Sequence, residues 1–191
     1  MTVRLLLALV LLPSAVRAAD DELWPLGRKS ISVAFMAGQT FTHSPGGFSE
    51  TVVPDLEAGR FVSARLELGI ELHPLLWIGQ PQTPDGTGHK DVLAVAADGI
   101  LRWYPAPLGP KIAPYGEIAL GLCGSPDRIP AAGTRVNFLV QAGAGLVLRT
   151  GKRWSTVVGW RWVHISNGNF GESNPGVNFS VLLLGGRLFF P

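Results

Sequence analysis

A histidine and a serine stand two positions apart near the end of the chain, in the sequence His164-Ile-Ser166. On an extended strand two such side chains share one face and lie about 6–7 Å apart along it. A change of rotamer can bring them within hydrogen-bond distance, so that the imidazole can take the serine proton and make the hydroxyl a nucleophile. Spacing alone leaves two interpretations open: a catalytic pair, and a solvated polar pair beside a loop.

The pair ends a predicted strand that runs from 153 to 166. Two tryptophans precede His164 and Ser166 on the even positions, whereas Arg161 lies on the opposite face. If Arg161 points into the interior of a barrel, the histidine and the serine point outwards. The two tryptophans then lie just below them, as in the aromatic girdle of a membrane barrel.

The next predicted strand, 177–190, brings a third polar side chain to the same place. With Arg187 directed inwards, Asn178 shares the outer face with His164 and Ser166 across one short connection. Barrels of this kind have their termini on the periplasmic side, so the strand that carries His164 must ascend to the external leaflet. The three side chains are therefore predicted to meet at the outer rim.

Alternation of apolar and polar residues with period two recurs along the chain and predicts strands. In the segment 61–72 every even position is apolar, whereas Arg65, Glu67 and Glu71 occupy odd positions. The predicted strands are 30–40, 61–72, 91–104, 115–122, 135–149, 153–166 and 177–190. Single-chain bacterial barrels have even strand numbers, so an eighth strand is predicted at 48–56. Turn-forming residues predict loops at 42–47, 80–88, 105–110 and 125–133.

The composition leaves a soluble β protein and a membrane β-barrel open, and the strand lengths and the last strand favour the membrane barrel. The chain is 47% hydrophobic with a mean hydropathy of +0.26, yet no internal segment reaches the ~18 apolar residues of a spanning helix. The predicted strands can supply the roughly 9–11 tilted residues that cross a bilayer, and the last strand ends in Phe189 and Phe190, as is typical of outer-membrane barrels. The predicted fold class is all-β, an eight-stranded antiparallel transmembrane β-barrel of the outer membrane.

In this fold the apolar strand faces meet lipid and the polar faces line the lumen. Lipid-facing positions are predicted at Val62, Leu66, Ile70, Val140, Leu146 and Leu184. A buried polar network is predicted from Arg65, Glu67, Glu71, Glu117, Arg135 and Arg149. Side chains fill the interior of so narrow a barrel, so a diffusion channel is not expected. The alternative is a soluble, secreted, lipocalin-like barrel whose apolar faces turn inwards.

The start of the chain has the pattern of a targeting segment. Arg4, the apolar run 5–12 and the small residues after it predict a secretory signal peptide at 1–18, which leaves 19–191 as a single barrel domain. The formal net charge is +2 and there is no basic block, which argues against nucleic acid as a partner. Cys123 is the single cysteine, no metal-ligand spacing surrounds it, and neither a metal nor a cofactor is predicted.

Further motifs surround the histidine–serine pair. It is followed by Asn167 and by Asn174-Pro-Gly176. Together with Pro114-Tyr-Gly-Glu117, Asn137-Phe138 and the C-terminal Gly-Arg-Leu-Phe-Phe, the sequence resembles the lipid A 3-O-deacylase (PagL) family over roughly residues 60–190. The resemblance implies an outer-membrane esterase that removes the ester-linked hydroxyacyl chain at the 3-position of lipid A. It also implies that Ser166 is the nucleophile, that His164 is the base, and that Asn174 helps to hold the oxyanion.

The chain departs from the family pattern at the third member of this site. The family's glutamate comes fourteen residues after the histidine, where this chain has Asn178. An asparagine can orient an imidazole but cannot stabilise the imidazolium by charge, and the Asp-to-Asn change in serine proteases costs about 10⁴ in rate. Glu172, in the connecting loop, is the alternative partner for His164.

The predicted function is hydrolysis of an ester of lipid A, with lipopolysaccharide and the surrounding outer-membrane lipids as partners. Asn178 leaves a second interpretation open, in which a catalytically weak or inactive barrel of the same fold has a structural or lipopolysaccharide-binding role. The oligomeric state is also open, with a homodimer as one candidate.

Overall fold

Eight antiparallel strands close into one barrel. The structure, a computed structural model, describes residues 27–40 and 49–191. In chain order the strands are β1 (Lys29–Thr40), β2 (Glu50–Ser63), β3 (Leu66–Gln80), β4 (Lys90–Trp103), β5 (Ile112–Ile129), β6 (Thr134–Arg149), β7 (Trp154–Ser166) and β8 (Val177–Phe190). Each strand pairs with the next, and β8 returns to β1 with Phe190 opposite Lys29. The predicted fold class is confirmed.

The two ends of the barrel can be assigned from the chain termini. Strand β1 begins and β8 ends at the same end, which also carries the turn Ala64-Arg65 and the loop 150–153. Since the termini of such barrels lie on the periplasmic side, the loop 167–176 lies at the outer rim. No helix within residues 27–40 and 49–191 is long and apolar enough to cross a membrane.

The outer wall of the barrel is apolar. Among the six predicted lipid-facing positions, four are exposed and two are half-buried on the same outer face. The exposed ones are Val62, Ile70, Leu146 and Leu184, and the half-buried ones are Leu66 and Val140. A soluble lipocalin-like barrel would bury these side chains, so that alternative is wrong.

A network of charged side chains fills the lumen. Glu67, Glu71 and Glu117 are buried there, as predicted. Their cationic partners differ from the predicted ones and are Arg102, Arg161 and Arg187. Of the arginines proposed from the sequence, Arg65 is exposed in a turn, Arg135 is exposed at the start of β6, and Arg149 is half-buried at its end. These three predictions are wrong because the residues lie at strand ends, where the alternation no longer decides whether a side chain meets the lumen or solvent.

The segment 61–72 is not one strand, contrary to the prediction. Strand β2 ends at Ser63 and β3 begins at Leu66, with the turn Ala64-Arg65 between them. Phe61 and Glu67, on opposite sides of the turn, both point into the lumen. Odd positions therefore point into the lumen both before and after the turn. Because the alternation continues unbroken, the sequence gives no sign of the turn.

Other strand bounds also differ from the predicted ones. Strand β2 extends to Ser63, well beyond the predicted 48–56, whose position 48 lies outside the described residues. Residues 125–129 belong to β5 rather than to the predicted loop 125–133, although the pairing with β6 is interrupted between Gly124 and Ile129. The predicted signal peptide 1–18 and the predicted loop 42–47 also lie outside the described residues.

Candidate active site

His164 and Ser166 occupy the outer end of β7 and share its lipid-facing side. The intervening Ile165 and the preceding Arg161 are buried in the lumen, which fixes the even positions of the strand as outward. Because Arg161 and Ile165 point into the lumen, the alternation of the strand directs His164 and Ser166 outwards. The structure places both residues on the face that the sequence predicted.

Asn178 brings a third side chain to the pair. It lies directly opposite His164 in the β7–β8 ladder, and its Oδ1 is 2.8 Å from the imidazole Nδ1. Because an amide oxygen can only accept a hydrogen bond, Nδ1 carries the proton and Nε2 carries the free lone pair. This tautomer leaves Nε2 able to take a proton from a neighbouring hydroxyl.

Two further contacts restrict the imidazole ring. The indole of Trp162 stacks on His164, with ring centroids 5.6 Å apart and planes 16° apart. Gly176 approaches from the β7–β8 loop with a φ of +57°, and a Cβ at that position would lie 3.1 Å from His164 Cε1. Glycine is the residue that adopts this backbone conformation without strain, and its missing side chain leaves room for the ring.

Ser166 neighbours one member of an aromatic pair at the rim. It is 8% exposed and stands opposite Phe138 in the β6–β7 ladder. The ring of Phe138 packs against Phe170 of the loop, with centroids 5.9 Å apart. Within the described residues Ser166 Oγ makes no hydrogen bond with His164, so a rotamer change must join them. Catalytic hydrogen bonds commonly tighten only when substrate is bound.

The β7–β8 loop brings Asn174 next to the residue that follows the serine. The backbone N–H of Asn167 donates to Asn174 Oδ1 at 3.1 Å, and Asn167 Nδ2 donates to the Ser173 carbonyl at 2.8 Å. The loop folds back on itself through Gly168 and Asn169, whose φ angles are 62° and 66°. The result is a cluster of backbone and side-chain amides beside Ser166.

Glu172, the alternative partner for His164, is exposed in the same loop. The imidazole Nδ1 is bonded to Asn178 instead. The structure therefore brings together His164, Ser166, Asn178 and Asn174, and leaves Glu172 on the solvent side. Trp162 was not predicted as part of the site, although its even position on β7 places it on the same face as His164.

Solved outer-membrane barrels share this architecture. The outer membrane enzyme PagL superposes with a TM-score of 0.59 at 19% identity, over 81% of this chain and 97% of that chain. Neisserial surface protein A (NspA) superposes with a TM-score of 0.62 at 15% identity, over 86% of this chain and 99% of that chain. The N-terminal β-barrel domain of Pseudomonas aeruginosa OprF superposes with a TM-score of 0.54 at 14% identity, over 86% of this chain and 98% of that chain. At such identities the likeness shows the fold alone.

A family profile gives a more specific match. A comparison with curated proteins finds no match. The profile described as lipid A 3-O-deacylase (PagL) matches residues 61–187, more than half of the chain, from the last residues of β2 into β8. The matched region contains the whole cluster around His164. The chain therefore belongs to the lipid A 3-O-deacylase (PagL) family.

Proposed function

We propose that this protein is a lipid A 3-O-deacylase, an outer-membrane serine esterase that hydrolyses the ester-linked hydroxyacyl chain at the 3-position of lipid A. The observation that carries the proposal is the hydrogen bond between His164 Nδ1 and Asn178 Oδ1, beside Ser166 on the lipid-facing rim. Lipid A lies in the outer leaflet with its acyl esters near that depth. A family member with a nucleophile and a base on this face is well placed to attack such an ester.

In the proposed reaction the Ser166 hydroxyl attacks the ester carbonyl while His164 Nε2 takes its proton. The ester bond then breaks, and the sugar oxygen leaves with the proton that His164 returns to it. A water molecule, deprotonated in turn by His164, hydrolyses the acyl-serine ester and releases the fatty acid. Asn178 holds Nδ1–H throughout, so the same lone pair serves both steps.

The oxyanion of each step needs donors beside the carbonyl carbon. The Asn167 backbone N–H and the Asn174 side chain adjoin Ser166 and are bonded to each other through Asn174 Oδ1. We assign both to the oxyanion site. A turn of the Asn174 amide would free the Asn167 N–H and direct Nδ2 towards the same point, which supplies two donors.

Asn178 favours one competing function, a catalytically weak or inactive barrel with a structural or lipopolysaccharide-binding role. An amide oxygen supplies a dipole where a carboxylate would supply a charge to the imidazolium. The geometry around the imidazole is the same for an active esterase and for an inactive barrel. The measured rate of lipid A deacylation therefore decides between the two functions.

The test is mass spectrometry of lipid A from cells that carry the wild-type protein, the Ser166→Ala variant or no protein. We expect the wild type to remove the 3-hydroxyacyl chain and the variant to leave it in place. Ser63→Ala, an exposed serine at the opposite end of the barrel, is the matched control and should behave as wild type. Near-normal deacylation by Ser166→Ala would remove Ser166 as the nucleophile, and an inactive wild type would favour the competing function.

A further inference from the structure

A second cluster of titratable side chains lies inside the barrel, away from the lipid-facing site. Asp55 on β2 and Glu71 and His73 on β3 are 1%, 0% and 1% exposed. One ligand atom from each lies within 4.8 Å of the others. A single ion placed between them can meet all three after small rotamer adjustments, because metal bonds to nitrogen and oxygen ligands are about 2.0–2.2 Å long.

Two polar atoms of this cluster are buried without a hydrogen-bond partner. They are His73 Nδ1 and Asp55 Oδ1, which face each other at 3.4 Å. Buried polar atoms are normally satisfied, so two orphans that point at the same space need an explanation. A cation between them would bind both.

The opposite nitrogen of His73 is arranged as in a metal-bound histidine. Nε2 lies 2.7 Å from Asp98 Oδ2, and that oxygen also accepts a hydrogen bond of 2.7 Å from Gln141 Nε2. Metal-ligating histidines almost always donate their second nitrogen to a carboxylate or a carbonyl, which fixes the tautomer. Here the contact with Asp98 places the proton on Nε2 and turns the Nδ1 lone pair towards Asp55.

The lumen also holds more negative than positive charge. Among the described residues its buried carboxylates are Asp55, Glu57, Glu67, Glu71, Asp98 and Glu117, and its buried guanidinium groups are Arg102, Arg161 and Arg187. The arginine ion pairs all go to glutamates. The two aspartates flank His73 instead, on its two nitrogens. Buried charge needs a compensating partner, and a cation at this corner of the lumen would supply one.

From these observations we infer that the lumen is a binding site for a divalent transition metal of the zinc class, held by His73 Nδ1, Asp55 and Glu71. One imidazole nitrogen with carboxylate oxygens suits zinc, whereas magnesium and calcium prefer oxygen ligands alone. Glu71 keeps its two hydrogen bonds with Arg161, at 2.6 and 3.0 Å, and offers a remaining lone pair.

A small, mainly apolar cavity lies beside the cluster on the side of the outer rim. His73 and Gln141 form part of its wall, and Leu76, Leu139, Ile165 and Phe179 are among the apolar side chains that line the rest. These apolar side chains lie between the cluster and the outer rim. The ion therefore acts as a link between β2 and β3, it enters as the barrel closes, and it exchanges slowly afterwards.

The experiment uses the full chain folded into detergent with Zn²⁺ present, then passed over a chelating resin before its metal content is measured. We expect about one retained zinc per wild-type barrel, and a zinc-dependent rise in Tm against protein folded with a chelator. Mg²⁺ or Ca²⁺ in place of Zn²⁺ should give neither.

Variants decide which residues hold the ion. Asp55→Asn and His73→Gln should each lose most of the retained zinc, and Asp55→Asn covers the case in which His73→Gln fails to fold. His89→Gln, at an exposed histidine between β3 and β4, is the matched control and should keep the zinc. A wild-type barrel without zinc would overturn the inference and leave His73 as an imidazolium between two aspartates. Zinc retained by Asp55→Asn would overturn it as well, and so would zinc lost equally by His89→Gln.

Discussion

His164 and Asn178 face each other across the β7–β8 ladder, with the imidazole Nδ1 2.8 Å from the amide oxygen Oδ1. The barrel wall itself sets this distance, because directly opposed residues on neighbouring strands hold their side chains about 4.5–5.5 Å apart at Cβ. Asn178 can therefore orient the base without help from the loop. It lacks the negative charge that would stabilise the imidazolium.

The first prediction concerns that missing charge. Asn178→Glu should raise the deacylation rate ten-fold or more, if even ~1.4 kcal/mol of charge stabilisation is recovered in the transition state. Asn178→Leu, which removes the hydrogen bond and keeps a side chain of similar size, should lower it. Release of 3-hydroxy fatty acid from lipid A in mixed micelles measures both.

The loop carboxylate supplies the control. Glu172 is exposed, so Glu172→Ala should leave the rate nearly unchanged. Loss of activity in Glu172→Ala, together with an inert Asn178→Glu, would make the loop glutamate the true partner of the histidine. If no variant shows activity, the barrel is inactive.

The second prediction concerns the glycine that approaches the imidazole. Gly176→Ala places a Cβ 3.1 Å from His164 Cε1 at a φ of +57°, so it should displace the ring as well as strain the backbone, which costs about 1–2 kcal/mol. Gly109→Ala is the matched control, because its φ is +97° and open space surrounds it. Both variants should lose thermal stability, and Gly176→Ala alone should lose kcat. Equal kcat in the two variants would mean that Gly176 is needed only for the turn.

Much of the outward face of this site could be predicted from the sequence. Alternation of inward and outward side chains is a local property of a strand. One inward charge on each strand, Arg161 on β7 and Arg187 on β8, therefore shows which other positions of that strand point inwards. The phases of two adjacent strands then place Asn178 beside His164 without knowledge of the rest of the barrel. The stacking of Trp162 and the hydrogen bond from Asn167 to Asn174 depend on rotamers and loop geometry, which alternation does not specify.

The strand bounds were harder to predict, for a related reason. The Ala64-Arg65 turn leaves the parity of inward positions unchanged, so the sequence shows one strand where there are two. The outer half of β3, which contains Pro74, was not predicted as a strand, and Pro54 lies within β2; proline cannot donate to the ladder, so it weakens the strand pattern at both places. Both prolines lie where the β2–β3 or the β3–β4 register shifts, which is where strands tolerate them.

A third prediction compares Arg102, which lies in the lumen network, with Arg135, which was predicted there and is exposed. Arg102 is buried with ion pairs to Glu57 at 2.7 Å and Glu117 at 2.8 Å. Arg102→Met leaves those carboxylates short of a partner and should lower the free energy of unfolding by about 3–5 kcal/mol. Arg135→Met, at an exposed position, should change it by less than about 0.5 kcal/mol. Urea unfolding in lipid vesicles measures both, and equal effects would contradict the lumen assignment.

The last prediction concerns the indole that stacks on the base. Trp162 lies with its centroid 5.6 Å from that of His164 and nearly parallel to it, and an aromatic pair contributes about 0.5–1.5 kcal/mol beyond its buried area. Trp162→Leu frees the imidazole to leave the orientation set by Asn178, so kcat should fall by up to about ten-fold with KM little changed. Trp162→Phe retains a stacking ring and should restore most of the lost rate.

The control for this prediction lies on the same strand and the same face. Trp154, at the periplasmic end of β7, is an exposed tryptophan, so Trp154→Leu removes a membrane-interface anchor without touching the site. It should leave kcat unchanged. If Trp154→Leu and Trp162→Leu lower the rate equally, tryptophan acts here by anchoring the barrel in the bilayer. If Trp162→Phe is as slow as Trp162→Leu, stacking on His164 is not what Trp162 provides, and a contact specific to the indole must take its place.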